Sequence, residues 1–199
     1  MLKKLTHFHY PKTIEEACKL LDSSKEKIAI IAGGTSENLK QNNNIEALVD
    51  LSKVKELNYI KKEATGFKIG ALTPVQDIFK SKDLKGPAGE LLKTAAGKIG
   101  STLLRNLITI GGNVAEIFPW SDLPPVLLAL DAEIVCKSGK PKRTIPVSTI
   151  IAERTVNVLK KNEIFSDILI PNFDKSTGTH FRKFAKTEQT TTSTHCPSS

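Results

Sequence analysis

The hydrophobic positions of the first 55 residues follow a helical period once and then form two short, mainly apolar runs. The helical stripe predicts an amphipathic helix over residues 13–22, and Thr13 with Glu16 supplies a capping box at its start. Two apolar runs, KIAIIA (27–32) and ALVDLS (47–52), predict strands, the first of them buried. Strands and a helix at these distances predict a small lobe with parallel strand pairing. The stripe consists of Ile14, Ala17, Cys18 and Leu21.

The next segment alternates between strand-like runs and signals for the start of a helix. Residues 57–72 hold two strand-like runs around Thr65-Gly66, which predicts a hairpin. Thr73-Pro-Val-Gln76 predicts a helix start with the threonine as its cap. Residues 86–100 predict a further helix that ends at Gly100.

Beyond residue 123 the pattern changes from helix to strand. Pro124 and Pro125 predict the start of a short apolar helix. AEIVC and KRTIPV then predict a hairpin that turns at Ser138-Gly139, and the runs 163–171 and 179–188 predict the last strands. This order of elements predicts an α+β fold rather than a repeat of βαβ units.

Charge and composition restrict the function only loosely. The 199 residues include 29 Lys and Arg against 21 Asp and Glu, which gives a net charge of +8. The lysines are scattered, without the aromatic strand motif or helix signature of nucleic-acid readers, so solvated surface lysines are favoured over nucleic-acid binding. No apolar run is long enough for a membrane span. The N-terminus lacks the apolar core of a signal peptide, so the expected location is the cytoplasm.

Metal ligation has little support in the sequence. Cys18, Cys136 and Cys196 lie far apart, and no pair has the CxxC spacing of zinc or iron–sulfur sites. His7 and His9 would share one face of a strand, but no cysteine or carboxylate nearby completes a site. We therefore expect no bound metal.

Two glycine pairs are candidates for a ligand-binding site, and each follows an apolar run. Gly33-Gly34 is followed by two hydroxyl residues, and Gly111-Gly112 lies between Thr109 and Asn113. Glycine allows backbone N–H groups to converge on an anion such as a diphosphate. Neither loop fits the GxGxxG or P-loop pattern. The spacing alone leaves two interpretations open, which are tight turns and a pair of phosphate-binding loops.

Four stretches in fixed order resemble a known family. They are AGGTS (32–36), GALTPVQDI (70–78), LLKTAAGKIGSTLLRNLITIGGN (91–113) and WSDLPPVLLALDAEI (120–134). Together they resemble the FAD-binding subunit of molybdenum hydroxylases, the medium chains of the carbon monoxide dehydrogenase and xanthine dehydrogenase group. The resemblance runs from about Phe8 to Glu188. It implies the FAD-binding fold of vanillyl-alcohol oxidase, with a small α/β lobe, a larger α+β lobe, and the flavin between them.

The resemblance also implies which residues bind the cofactor. Two sets of residues, one from each lobe, would enclose the FAD diphosphate. Asp122 matches an acidic residue that binds the adenosine portion, and Phe165 and Lys183 match positions near the adenine and the flavin ring. A lysine beside the ring would stabilise negative charge at flavin N1. The small-lobe set is Ala32, Gly33, Gly34, Thr35 and Ser36, and the larger-lobe set is Thr109, Gly111, Gly112 and Asn113.

The same resemblance gives a domain organisation. Residues 1–55 would form the small lobe and 56–188 the larger lobe. The family continues into a C-terminal domain, whereas residues 189–199 here form a polar stretch that we expect to be disordered. LLRNLI also replaces the family's frequent QIRNRG.

The implied function is electron transfer. A molybdopterin-binding large subunit would oxidise the substrate and pass electrons to a [2Fe-2S] small subunit. FAD in the present subunit would receive these electrons and pass them to an acceptor such as NAD or a quinone. The chain shows no pair of nucleophile and base, so its catalysis would be the redox chemistry of the cofactor. Two alternatives remain open: a truncated paralogue that folds without binding FAD, and a basic nucleic-acid binder.

Overall fold

The protein was analysed as a computed structural model, and the structure describes residues 4–36, 44–139 and 141–184. Those ranges contain strands and helices in mixed order. The strands are β1 His7–His9, β2 Ile28–Ile31, β3 Ala47–Asp50, β4 Ile60–Glu63, β5 Gly66–Gly70, β6 Glu133–Lys137, β7 Lys142–Pro146 and β8 Ile164–Pro171. The helices are α1 Ile14–Ser23, α2 Val75–Lys80, α3 Gly86–Gly97, α4 Thr102–Leu107, α5 Ile110–Glu116, α6 Leu123–Ala129, α7 Val147–Glu153 and α8 Thr155–Val158.

A small parallel sheet with strand order β1-β3-β2 contains the N-terminal segment. The predicted capping box is confirmed: Thr13 Oγ1 accepts a hydrogen bond from the Glu16 N–H at 3.2 Å, and the Glu16 carboxylate accepts one from the Lys12 N–H at 2.7 Å. The predicted apolar stripe of α1 is buried in the smaller of two hydrophobic clusters. Parallel pairing of the predicted strands is also confirmed.

Strand β2 differs from its prediction in one respect. Its four residues are only half-buried, although their composition predicts a buried strand. All four line a cavity, which accounts for their partial exposure among the described residues. An apolar sequence is therefore consistent with a strand that faces a ligand cleft as well as with one that faces the core.

The second sheet is antiparallel and has the order β4-β5-β8-β6-β7. Both predicted hairpins, β4–β5 and β6–β7, are confirmed, as are the strand over 163–171 and the helix start at the two prolines. Helices α2, α3, α5, α6 and α7 contribute to the larger hydrophobic cluster together with the inner residues of this sheet.

Three sequence predictions are wrong in detail, and in the first case a distant contact is the reason. Thr73 does not cap α2: its hydroxyl accepts from the Tyr59 N–H and donates to the Tyr59 carbonyl, which ties two segments together. Helix α3 ends at Gly97 instead of Gly100. The predicted strand over 179–188 is irregular through residue 184 and pairs with no described strand, and its remainder lies outside the described residues.

The described residues contain neither a membrane-spanning helix nor a cluster of metal ligands. No helix among them is both long and apolar enough to cross a membrane. Within the same residues, no group of three or more His, Cys, Asp or Glu side chains is placed to hold a metal ion. The tail over 189–199, predicted to be disordered, lies outside the described residues.

Candidate functional site

A cavity of about 890 Å³ opens between the small sheet and helices α4, α5 and α8. Its volume lies within the range of pockets that enclose a small-molecule ligand. All twelve residues that the sequence singles out for a cofactor line this one cavity: Ala32, Gly33, Gly34, Thr35, Ser36, Thr109, Gly111, Gly112, Asn113, Asp122, Phe165 and Lys183. Residues from five separate stretches of the chain therefore meet around one space.

The loop after β2 contains backbone donors that no described residue uses. No hydrogen bond between described residues uses the N–H groups of Gly33, Gly34, Thr35 or Ser36. Gly34 has a φ of +70°, in the left-handed region that glycine adopts without strain. Successive amides in such a turn, with two hydroxyl side chains beside them, form a cradle for an anion.

Gly33, the first glycine of this pair, allows a close contact between two parts of the backbone. A Cβ on Gly33 would lie 1.6 Å from the carbonyl oxygen of Leu107, at the end of α4. The absence of a side chain at this position therefore lets the small sheet approach α4 closely. Gly111 is similar, because its Cβ would lie 2.7 Å from both the Cβ and the carbonyl oxygen of Ala71.

The second glycine loop does not offer its backbone amides. Thr109 is the N-cap of α5, and its hydroxyl oxygen accepts from the Gly112 N–H at 3.1 Å. The N–H groups of Ile110 and Gly111 donate to the carbonyls of Thr73 and Ala71 at 3.0 and 2.9 Å. The sequence argument for converging amides at Gly111-Gly112 is thus corrected, since the protein itself uses these donors.

Side chains remain available at the second loop instead. The Thr109 hydroxyl hydrogen is free to donate while its oxygen accepts from Gly112. The Asn113 Oδ1 atom is buried and has no hydrogen-bond partner among the described residues, and Thr155 Oγ1 is the other such atom. Both residues line the cavity. Because an unpaired buried polar atom is unfavourable, the two atoms indicate a polar ligand in this space.

Asp122 and Lys183 form an ion pair at the cavity wall. The Lys183 Nζ donates to the Asp122 carboxylate at 2.7 Å, and both side chains are nearly buried. Burial raises the pKa of the Asp122 carboxyl above its ordinary value, and the hydrogen bond and charge of Lys183 oppose that rise. The sequence assigned these residues to different parts of a dinucleotide, but with their charged atoms 2.7 Å apart they face the same part of any ligand.

Phe165 reaches the cavity from the start of β8. It is 7% exposed and packs in the larger hydrophobic cluster, so it is a buried wall residue. Arg154, Lys160 and Lys161 also line the cavity. Their positive charges favour an anionic ligand.

Sequence reasoning missed three residues that line the site. Thr155 has no local signal, since a threonine in a short helix is unremarkable. Phe118 and Trp120 line the cavity with their rings stacked, with centroids 5.0 Å apart. A usable signal existed for this pair, because Trp120 is the single tryptophan of the chain and lies two residues before Asp122.

The residues present therefore fit a dinucleotide such as FAD. Amides and hydroxyls that no described residue uses suit a diphosphate, and the Asn113 oxygen, unpaired among the same residues, can accept a hydrogen bond from a hydroxyl or amide of a ligand. Apolar residues of β2 and Phe165 supply the walls that a flat ring system requires.

Comparisons with known proteins give the same result. Residues 3–173 match the family described as the FAD binding domain in molybdopterin dehydrogenase. The chain is 29% identical over 189 residues to the carbon monoxide dehydrogenase medium chain of Hydrogenophaga pseudoflava, covering 94% of this chain and 66% of that one. It is 34% identical over 186 residues to the nicotinate dehydrogenase FAD-subunit of Eubacterium barkeri, covering 90% of this chain and 62% of that one.

Solved structures show the same fold. A carbon monoxide dehydrogenase structure from Hydrogenophaga pseudoflava matches with a TM-score of 0.87 and 28% identity, covering 96% of this chain and 68% of that one. Quinoline 2-oxidoreductase from Pseudomonas putida matches with a TM-score of 0.85 at 20% identity, which shows the fold alone. The chain spans less than two thirds of the length of both curated relatives.

Proposed function

Because the chain belongs to the family of FAD-binding domains of molybdopterin dehydrogenases, we propose that it binds FAD in this cavity and serves as the electron-transfer subunit of a molybdenum hydroxylase-type complex. One observation carries the proposal. Twelve residues chosen from the sequence, on five separate stretches, line a single cavity, and two of its buried oxygens have no hydrogen-bond partner among the described residues.

The residues divide the work of binding. The amides and hydroxyls of residues 33–36 hold the diphosphate. Asn113, which belongs to α5, accepts a hydrogen bond from the ligand. Asp122 and Lys183 together contact the adenosine portion, because their ion pair keeps them at one place. This assignment moves Lys183 away from the flavin ring. Bound FAD supplies one- and two-electron redox chemistry. The protein positions the FAD and excludes water from it.

The partners proposed for this chain follow from its relatives. One relative is named a medium chain, another an FAD-subunit, and a third the alpha subunit of a 6-hydroxypseudooxynicotine dehydrogenase complex. We propose a [2Fe-2S] subunit as the electron donor and a molybdopterin-binding subunit as the site of substrate oxidation. An outside acceptor such as NAD or a quinone would reoxidise the FAD.

FAD titration of the purified chain tests the proposal, with Asn113→Ala as the informative variant. We expect saturable quenching of flavin fluorescence by the wild type, and binding about tenfold weaker for Asn113→Ala because one ligand hydrogen bond is lost. The apoprotein of this variant should be no less stable than the wild type, since the substitution removes an unpaired buried oxygen.

Asn157→Ala is the matched control. Asn157 is exposed and does not line the cavity, so its substitution should leave the FAD affinity unchanged. A folded wild type that binds no FAD would contradict the proposal and favour the paralogue without cofactor. Equal FAD affinity for Asn113→Ala and the wild type would show that Asn113 does not bind FAD.

A further inference from the structure

The turn that follows α5 places two aromatic rings at the cavity wall. Phe118 and Trp120 stack with their ring planes 2° apart and their centroids separated by 5.0 Å. Trp120 is 42% exposed, and neither ring belongs to the two hydrophobic clusters of the described residues. The pair is therefore not explained by packing of the core.

The backbone of this turn is strained. Ile117 has a φ of +37° and a ψ of 68°, in the left-handed region that β-branched residues rarely adopt. The turn is closed by the Ser121 N–H, which donates to the Phe118 carbonyl at 2.9 Å. A strained turn that exposes a large aromatic ring lowers the stability of the protein, and such strain concentrates at ligand sites.

Polar recognition lies immediately beside the rings. Asp122 follows Trp120 by two residues, lines the same cavity and holds the ammonium group of Lys183 at 2.7 Å. A flat apolar surface next to a carboxylate and an ammonium group matches a nucleoside, whose base stacks on an aromatic ring while its sugar hydroxyls form hydrogen bonds.

We propose that Trp120, held in place by Phe118, stacks on the adenine ring of the bound dinucleotide. The inference rests on the proposed function, since it concerns the same cavity. Adenine takes no part in electron transfer, so a partly exposed position at the cavity wall suits it. One face of the Trp120 indole stacks on Phe118, and its partly exposed ring can stack on one more aromatic ring.

Ligand fragments separate the two ends of the dinucleotide. ADP contains the adenosine end without the flavin, and FMN contains the flavin without adenosine. We expect ADP to compete with FAD and to quench the emission of the single tryptophan, because adenine contacts the indole directly. We expect Trp120→Leu to bind FAD and ADP roughly tenfold more weakly than the wild type, with FMN binding unchanged. Trp120→Phe should recover most of the affinity, since it keeps an aromatic face.

Tyr10→Leu is the matched control, because Tyr10 is also an exposed aromatic residue but lies outside the cavity. It should leave all three affinities unchanged. The inference is overturned if ADP fails to compete with FAD, if Trp120→Leu binds ADP as tightly as the wild type, or if it loses FMN instead. A wild type that binds no FAD would overturn the proposed function itself, and a wild type that binds FAD with no role for Trp120 would overturn only this inference.

Discussion

At the scale of the residue, Arg105 shows how a charged side chain becomes part of the core. It is 8% exposed, and its guanidinium group is surrounded by acceptors. Nε donates to Gln76 at 2.8 Å, one terminal nitrogen donates to the carbonyls of Ile99 and Gly100, and the other donates to Thr102. The side chain thus satisfies carbonyls just beyond α3 and links them to α2 and α4.

We expect Arg105→Lys to destabilise the protein by about 2–3 kcal/mol, because an ammonium group cannot reach all of these acceptors and leaves buried carbonyls unpaired. Urea unfolding followed by circular dichroism measures the effect. Arg182→Lys is the control, since Arg182 is exposed, and its change should stay within about 0.5 kcal/mol. Equal stabilities for the two variants would show that Arg105 does not contribute in this way.

At the scale of the element, one ion pair connects β7 with the chain segment that enters β8. Arg143 donates to both carboxylate oxygens of Glu163, at 2.8 and 2.7 Å, and also to the carbonyl of Val158. The Lys160 N–H donates to the same carboxylate at 2.9 Å. The pair therefore holds in place a segment that forms part of the cavity wall.

The Arg143 hydrogen bonds lower the pKa of the Glu163 carboxyl below its ordinary value, although burial opposes the shift. A lowered folded-state pKa gives stability that is complete above the unfolded value of about 4.3 and is lost as the pH falls through the folded value. We expect Glu163→Gln to be less stable than the wild type at neutral pH, with the difference shrinking on acidification. Denaturant unfolding at several pH values measures it.

Glu90→Gln serves as the comparison for this pH dependence, because Glu90 forms an exposed ion pair with Lys93. Its stability should follow that of the wild type at every pH. A constant difference between Glu163→Gln and the wild type from neutral to acidic pH would contradict the assignment of the lowered pKa.

At the scale of the whole molecule, the cavity exists because the small sheet and the helical region touch at its ends. Gly33 lies against the Leu107 carbonyl, and the Lys161 Nζ donates to the Ser24 carbonyl at 2.7 Å, at the end of α1. Between these contacts, β2 lines the cavity. The space for a ligand is thus a consequence of where the two parts meet.

Adjacent glycines should then respond differently to the same substitution. We expect Gly33→Ala to destabilise the protein by more than about 3 kcal/mol, because the new Cβ would lie 1.6 Å from a backbone oxygen and the contact must open. Gly34→Ala should lose only about 1–2 kcal/mol, from its left-handed φ, since the nearest atom is a side-chain carbon at 3.5 Å. Thermal and urea unfolding compare the two variants, and the opposite order would exclude the close contact at Gly33.

Most of the local structure was predictable from the sequence, because its causes are close together along the chain. The capping box of α1 involves residues three apart, and both hairpins turn where glycine follows a polar residue. The two glycine motifs, together with three residues that the family resemblance added, identified twelve residues that the fold brings around one cavity. Short-range spacing determines the capping box and the hairpins, whereas the resemblance to a family supplied the cofactor and the roles of the site residues.

The remaining features were decided by tertiary structure, because their partners lie far away in the sequence. Thr73 bonds to Tyr59 instead of capping a helix, and the amides of the second glycine loop donate to Ala71 and Thr73 instead of a ligand. The ion pair between Asp122 and Lys183 joins residues 61 positions apart. Sequence alone determined which groups could bind an anion, whereas the folded packing determined which of them remained unpaired and faced the cavity.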